Sequence, residues 1–201
     1  MNYVEYKKNK CIRYLDSFKH GFRQFPPSLH VSLTDKCFNA CAMCGHWRRS
    51  KLYVADYNRL ITFLKVGKAL GLETVCYSGG DPFTYNAVDL RLLLEWHVAS
   101  GIKYGFVTSG FVSPALENCL NIICKAEWIR VSLDAVDNKL YEKIRGGINL
   151  NFILNSIDLL LRNGANVSLG ITVQENNAAH LGNIFEYAIS KKIKERGSSI
   201  A

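Results

Sequence analysis

The feature that most constrains this chain is a repeated alternation of two hydrophobic periods. "LHVSL" (Leu29 to Leu33), introduced by Pro26 and Pro27, predicts a first strand. Tyr57, Leu60, Ile61 and Leu64 then follow the i, i+3, i+4, i+7 stripe of a helix that stops at Gly71. "ETVCYS" (Glu73 to Ser78) predicts a second strand, followed by a helix carrying Leu90, Leu93, Leu94 and His97 and closed by Gly101. "KYGFVT" (Lys103 to Thr108) is a third, after which Ser113 and Pro114 form an N-cap with Pro at the first helical position, ahead of Leu116, Cys119, Leu120 and Ile123 on one face. "WIRVSL" (Trp128 to Leu133) is a fourth strand. A short helical piece through Leu140 and Ile144 follows it, then a longer helix with Phe152, Ile153, Ile157, Leu160 and Leu161 that ends at Gly164. "NVSLGITV" (Asn166 to Val173) is the fifth strand, and Leu181, Ile184, Phe185 and Ala188 give a last amphipathic helix. Five β–α units in succession imply an α/β fold with a parallel sheet, either doubly wound or part of a (β/α) barrel. In both, ligands gather beyond the C-terminal ends of the strands.

Composition narrows the class. A chain of 201 residues favours one domain, and 48% apolar against 21% charged residues argues against wholesale disorder. The start, "MNYVEYKKNK", lacks the apolar core of a signal peptide, and no run of eighteen apolar residues occurs, so a cytoplasmic protein without membrane association is expected. Seven cysteines in that compartment read as reduced thiols, some serving a metal. The net charge of +8 is compatible with nucleic acid, but the basic residues are spread among "YKKNK", "HWRRSK", "EKIR" and "SKKIKER", and a solvated basic surface is the preferred reading.

Two motifs fall just past strand ends. "TDKCFNACAMCGHW" places Cys37, Cys41 and Cys44 at spacings of four and three after strand one. A [4Fe–4S] cluster has four irons that each want an outer ligand, so three thiolates hold it and leave one iron open. Zinc on the same thiols plus His46 or Cys76 is the alternative, although zinc modules usually pair two short knuckles and no second C-x-x-C is present. "YSGGDP" (Tyr77 to Pro82) follows strand two. Its glycines permit a sharp turn that exposes backbone groups, and Pro82 fixes the exit.

Together, Cys37-x-x-x-Cys41-x-x-Cys44 and Gly79-Gly80-Asp81-Pro82 resemble the signature of the radical S-adenosylmethionine (radical SAM) enzymes, nearest in pattern to the branches that modify peptides or build the molybdenum cofactor. The resemblance implies a partial (β/α) TIM-like barrel of about five to six parallel β–α units. It implies a [4Fe–4S] cluster on the three cysteines and S-adenosyl-L-methionine on the open iron. Gly79, Gly80, Asp81 and Pro82 would meet the cofactor's amino group, Asp81 standing where Glu is commoner, and Met43 would lie near the adenine where the family often has an aromatic residue. "TSG" (Thr108 to Gly110) resembles the family's Thr-Asn-Gly after strand three and implies that Thr108 binds the cofactor, and "VSLDA" (Val131 to Ala135) resembles its fourth-strand segment, by which Ser132 or Asp134 would reach the cofactor's ribose or the substrate. Arg145, in "EKIRGG", would hold a carboxylate, and Asn176 or Asn177 aligns with an Asn after strand five, with turn formation preferred.

The activity so implied is reductive cleavage of S-adenosylmethionine to a 5′-deoxyadenosyl radical that modifies a peptide or small-molecule substrate. A flavodoxin- or ferredoxin-like low-potential donor would supply the electron. The alternatives are an iron–sulfur or zinc binding protein without turnover, and an RNA-modifying member. Residues 1–27 are expected to form an N-terminal extension, 28–192 the radical SAM core and 193–201 a frayed tail. An end soon after the fifth helix implies a truncated or compact member whose open edge is completed by a dimer or partner. The remaining residues read plainly: Cys76, Cys119 and Cys124 as packing, and His97 as a core or boundary residue.

Overall fold

The computed structural model describes residues 26–193. The elements are β1 (Ser28–Thr34), α1 (Tyr57–Ala69), β2 (Thr74–Gly79), α2 (Ala87–Ser100), β3 (Lys103–Thr108), a 3-10 segment Pro114–Cys119 running into the single turn α3 (Leu120–Ile123), β4 (Trp128–Ser132), α4 (Asn138–Arg145), α5 (Leu150–Arg162), β5 (Val167–Gly170) and α6 (Leu181–Ser190). All strand pairs are parallel, in the order β1-β2-β3-β4-β5. Each strand therefore sits beside its neighbour in sequence. A doubly wound sheet reverses direction at a switch point and a barrel does not, so the order decides between the two architectures left open by periodicity. The fold is a five-stranded partial barrel.

Alternation along the strands separates two faces. Leu33, Val75, Tyr77, Tyr104, Phe106, Ile129, Val131 and Val167 face the helices and form the core with Leu64 of α1, Leu90, Leu93 and Leu94 of α2, Tyr141 of α4, and Ile153, Ile157 and Leu160 of α5. The opposite face carries Ser28, His30, Ser32, Cys76, Ser78, Arg130, Ser132 and Ser168, which are exposed or half-buried. Helix starts are fixed by side chains that accept from backbone amides: Asp56, Asn86, Asp137 and Asn149 cap α1, α2, α4 and α5.

Two expectations are corrected. The third helix is mostly 3-10, and Ser113 makes no side-chain capping bond, although Pro114 does occupy the first turn. Strand five stops at Gly170 and not Val173. The Thr172 amide donates to Asp134 Oδ1 at 2.7 Å and the Thr172 carbonyl accepts from Asn177 Nδ2 at 3.0 Å, so the β4 end loop and a local turn draw the chain out of the sheet. His97 lies in the core as expected, bonded to Tyr77 Oη at 2.6 Å and the Ile102 carbonyl at 2.9 Å. Burial lowers its pKa to about 4, so the ring is neutral. Of the expected N-terminal extension (1–27) and frayed tail (193–201), residues 1–25 and 194–201 lie outside the described residues. Among the described residues no helix is long and apolar enough to cross a membrane.

Candidate active site at the carboxyl edge of the sheet

The cysteine loop leaves β1 at Thr34 and is held from both sides by backbone. On one side lies the turn after β2. The Gly80 amide donates to the Thr34 carbonyl at 2.6 Å, the Asp81 amide to the Lys36 carbonyl at 2.8 Å, and Thr84 Oγ1 to the same Lys36 carbonyl at 3.0 Å. A Cβ on Gly79 would collide with the Thr34 carbonyl, and one on Gly80 with the carbonyls of Asp35 and Lys36. The two glycines are there so that the turn can lie directly on the loop, which goes further than the sharp bend read from the sequence.

On the other side lies the fourth unit. The Ala42 amide donates to the Ile144 carbonyl at 2.9 Å, and Asn39 receives the Ile148 amide at 3.3 Å while donating to Tyr141 Oη at 3.3 Å. A Cβ on Gly147, at φ +76°, would strike the Phe38 carbonyl. The loop from Thr34 to Ala42 is thus clamped between the turn after β2 and a segment more than a hundred positions later in the chain.

Within this clamp the three thiols differ. Cys41 is buried, while Cys37 and Cys44 are half-buried. The Asn39 amide points at Cys37 Sγ at 3.4 Å, the His46 amide at Cys44 Sγ at 3.5 Å, and Arg145 Nη1 at Cys41 Sγ at 3.7 Å. Burial pushes the Cys37 thiol up to about 11, against the Asn39 amide, which favours the thiolate. Burial also raises Cys41, with Arg145 opposing. Donors aimed at all three sulfurs suit thiolates bound to metal, because a sulfur that has lost its proton needs hydrogen-bond donors. Among the described residues no three His, Cys, Asp or Glu side chains converge on one point suited to a single ion.

Asp81 is fully buried and its carboxylate is engaged inside the protein. Oδ1 accepts from Thr108 Oγ1 at 2.7 Å and the Phe83 amide at 3.0 Å; Oδ2 accepts from the Ser109 amide at 3.0 Å and from Ser109 Oγ. Burial raises its pKa, and these donors oppose the shift. Thr108, expected to bind the cofactor, has its hydroxyl committed to Asp81 and accepts the Gly110 amide at 3.0 Å. The turn's carboxylate therefore welds it to the end of β3, while its Gly80 and Asp81 amides tie it to the cysteine loop.

Asp134 is equally buried. Arg145 Nε donates to Oδ2 at 2.7 Å and the Thr172 amide to Oδ1. The carboxylate that Arg145 holds is internal, that of Asp134. Arg145 is buried, not a solvated surface charge. Asn177 makes the turn that was preferred for it: Nδ2 donates to the Asp134 and Thr172 carbonyls, and Oδ1 accepts the Gln174 amide at 2.8 Å. Asn176 accepts from Lys143 Nζ at 3.0 Å on the surface. Ser132 ends β4 half-buried on the helix-free face, and Met43 is exposed on the loop.

Sequence reasoning missed Asp35, Asn39, Ser109 and Tyr141. Asp35, beside the first cysteine, accepts from Arg49 at 2.8 Å, the Tyr53 amide at 3.2 Å and His46 Nδ1 at 3.2 Å. The Tyr53 amide is the largest influence holding its carboxyl below the ordinary range, although burial opposes it. His46 is thereby a neighbour of the loop, turned toward Asp35. The available signal was an acid and an Asn two residues either side of Cys37, which is too common to select on.

The arrangement also has relatives. The family model of the Radical SAM superfamily matches residues 31–188. The chain belongs to the radical SAM superfamily. It is 28% identical over 182 residues to the GTP 3′,8-cyclase of Staphylococcus aureus strain JH9, an alignment covering 84% of this chain and 52% of the relative. The chain thus spans about half the length of the curated relatives it matches. Among solved structures, Streptococcus suis SuiB bound to the precursor peptide SuiA superposes with a TM-score of 0.73 at 19% identity, over 96% of this chain and 43% of that one. SuiB bound to S-adenosylmethionine gives 0.73 at 18% identity, over 96% and 45%. At such identities these likenesses speak for the fold, a radical SAM partial barrel.

Proposed function

We propose that residues 28–192 form a radical SAM core that holds a [4Fe–4S] cluster on Cys37, Cys41 and Cys44 and binds S-adenosylmethionine across the edge of the sheet, to modify a peptide or small-molecule substrate. The observation that carries this reading is the loop's clamp: three cysteine sulfurs, each met by an N–H donor, sit on a backbone cradle made by the Gly79–Gly80 turn and Gly147. When bound, the two groups would together supply a reductively generated 5′-deoxyadenosyl radical, with the electron from a low-potential donor.

The chain's own residues do the rest. The Asn39 and His46 amides and Arg145 stabilise charge on the sulfurs. The Gly79–Gly80 carbonyls are assigned to the cofactor's amino end, because the Gly80 and Asp81 amides hold the cysteine loop and the Asp81 carboxylate is already satisfied. Ser132 is assigned to the ribose and the Met43 backbone to the adenine, by the family resemblance of their segments. GTP and a precursor peptide appear in the names of the matched proteins, and both are compatible with the reading.

Anaerobic reconstitution of the full chain, followed by assay for 5′-deoxyadenosine with a strong reductant, tests the proposal. Iron and sulfide near four each per chain, lost when the three cysteines are changed to Ala, together with S-adenosylmethionine cleavage, are expected. An intact cluster with no cleavage would leave a binding protein instead.

A further inference from the structure

The helix-free face of the sheet carries a cation that neither the cysteine loop nor the two buried carboxylates engage. Register pairs Val107 with Arg130 and Arg130 with Ser168 in one row near the carboxyl edge, and Ser32 with Ser78 on the first two strands. One row further down, His30 pairs with Cys76, Cys76 with Gly105, and Gly105 with Trp128. Arg130 lies two residues below Ser132, roughly 7 Å from the strand end. Among the described residues its guanidinium forms no hydrogen bond and no ion pair, in contrast to Arg49, Arg91 and Arg145, which all have carboxylates.

The site around it is shaped. Gly170 on β5 lets the arginine stem lie against the strand, since a Cβ there would press on its Cγ and Cδ at 3.1 Å. Gly105 leaves a space over which the Trp128 ring folds, because a Cβ on Gly105 would enter that ring. His30 donates to or accepts from Ser78 Oγ at 2.5 Å, adding hydroxyl and imidazole groups across the face. A half-buried guanidinium without a counter-charge is unfavourable until an anion joins it, and its planar fork matches carboxylate and phosphate oxygens. Neutral Ser168 on the flanking strand β5 adds a donor for such oxygens and no negative charge, and Val107 on the other flank is apolar.

We propose that Arg130 is the anchor for an anionic oxygen group, carboxylate or phosphate, of the substrate, with Val107 and Trp128 receiving its apolar or planar portion. That the occupant is a substrate rests on the enzymatic reading above; that the face binds an anion does not. Isothermal titration of the full chain, reconstituted with its cluster, uses inorganic pyrophosphate and succinate as probes. The wild type is expected to bind at least one of them, Arg130→Gln to bind it about tenfold more weakly or worse, and Arg130→Lys to recover part of the loss. Lys68→Gln, on the exposed side of α1, is expected to bind as the wild type does. Ser168→Glu places a carboxylate opposite the guanidinium and is expected to abolish binding with the cation still present, which keeps the test decisive if Arg130→Gln folds poorly. Equal anion binding by the wild type and Arg130→Gln, or none by the wild type, overturns the proposal. So does a loss confined to S-adenosylmethionine binding, which would assign the cation to the cofactor. Wild-type 5′-deoxyadenosine formation reports separately on the enzymatic reading: cleavage with an anion-indifferent Arg130 sinks this inference alone, and anion binding without cleavage sinks only that reading.

Discussion

Asp81 and Asp134 are both fully buried carboxylates at the carboxyl edge of one sheet, and they are satisfied in opposite ways. Asp81 is surrounded by neutral donors, two hydroxyls and two amides, from the β2 turn and the end of β3. Asp134 meets a guanidinium and one amide, and that guanidinium also touches Cys41. The first junction fixes geometry and works with a carboxylate whose affinity for protons burial has raised. The second joins charge to charge, and its cation is shared with a cysteine sulfur. Losing the acid should therefore matter differently at the two places.

The largest effect is expected from Asp134→Ala. It leaves Arg145 buried without its partner, and chemical denaturation should show a loss of about 3–5 kcal/mol. Arg145→Met should cost a similar amount alone, and the double variant Asp134→Ala/Arg145→Met should cost less than the sum, because the uncompensated charge has gone. An additive result would mean that the pair is not coupled.

Gly147→Ala comes next. Overpacking against the Phe38 carbonyl and a left-handed backbone together should cost about 2–4 kcal/mol and lower the iron content after reconstitution. Gly164→Ala is the matched control: φ is +77° but there is open space, so only the backbone strain of about 1 kcal/mol is expected.

Asp81→Asn should be milder than Asp134→Ala, about 1–3 kcal/mol at neutral pH, because shape is kept and only some donors lose an acceptor. Its pH signature sharpens the contrast. The folded-state pKa of Asp81 lies above its unfolded value, so the folded chain holds the proton more tightly. The group's contribution is then greatest below the unfolded pKa and declines as pH rises through the folded one. Unfolding curves from acid to neutral pH should show that decline in the wild type and lose it in Asp81→Asn.

The smallest effect is expected at His46. Its side chain is partly exposed and bonds Asp35, so His46→Ala should cost less than about 1 kcal/mol and leave the iron content after reconstitution unchanged. A loss of metal would revive the reading of His46 as a ligand.

Much of this architecture was legible in the residues, because period and punctuation are local signals. The alternation from Leu29 to Ala188, the cysteine spacing and the glycine turn all lie within short windows. The partners of Asp81, Thr108, Asp134 and Arg145 were not, because each bond crosses between strands or units whose juxtaposition only the sheet register fixes. Arg145 shows the difficulty: an Arg at a helix C-terminus is ordinarily solvated, and its burial follows from Asp134 eleven positions earlier. The early end of β5 was hidden for the same reason. Its sequence still looks like a strand to Val173, and it is the Asp134 and Asn177 side chains that remove residues 171–173 from the ladder.

The clamp on the cysteine loop also bears on the order of events during synthesis. Cys41 touches Arg145 and Asn39 touches Tyr141, partners 104 and 102 positions later in the chain. A nascent polypeptide that has released only its first hundred residues carries all three cysteines and the glycine turn, yet half of their cradle is still inside the ribosome. Metal loading at the final geometry must wait for α4 to emerge and dock, and until then the thiols are exposed to oxidant and to stray ions.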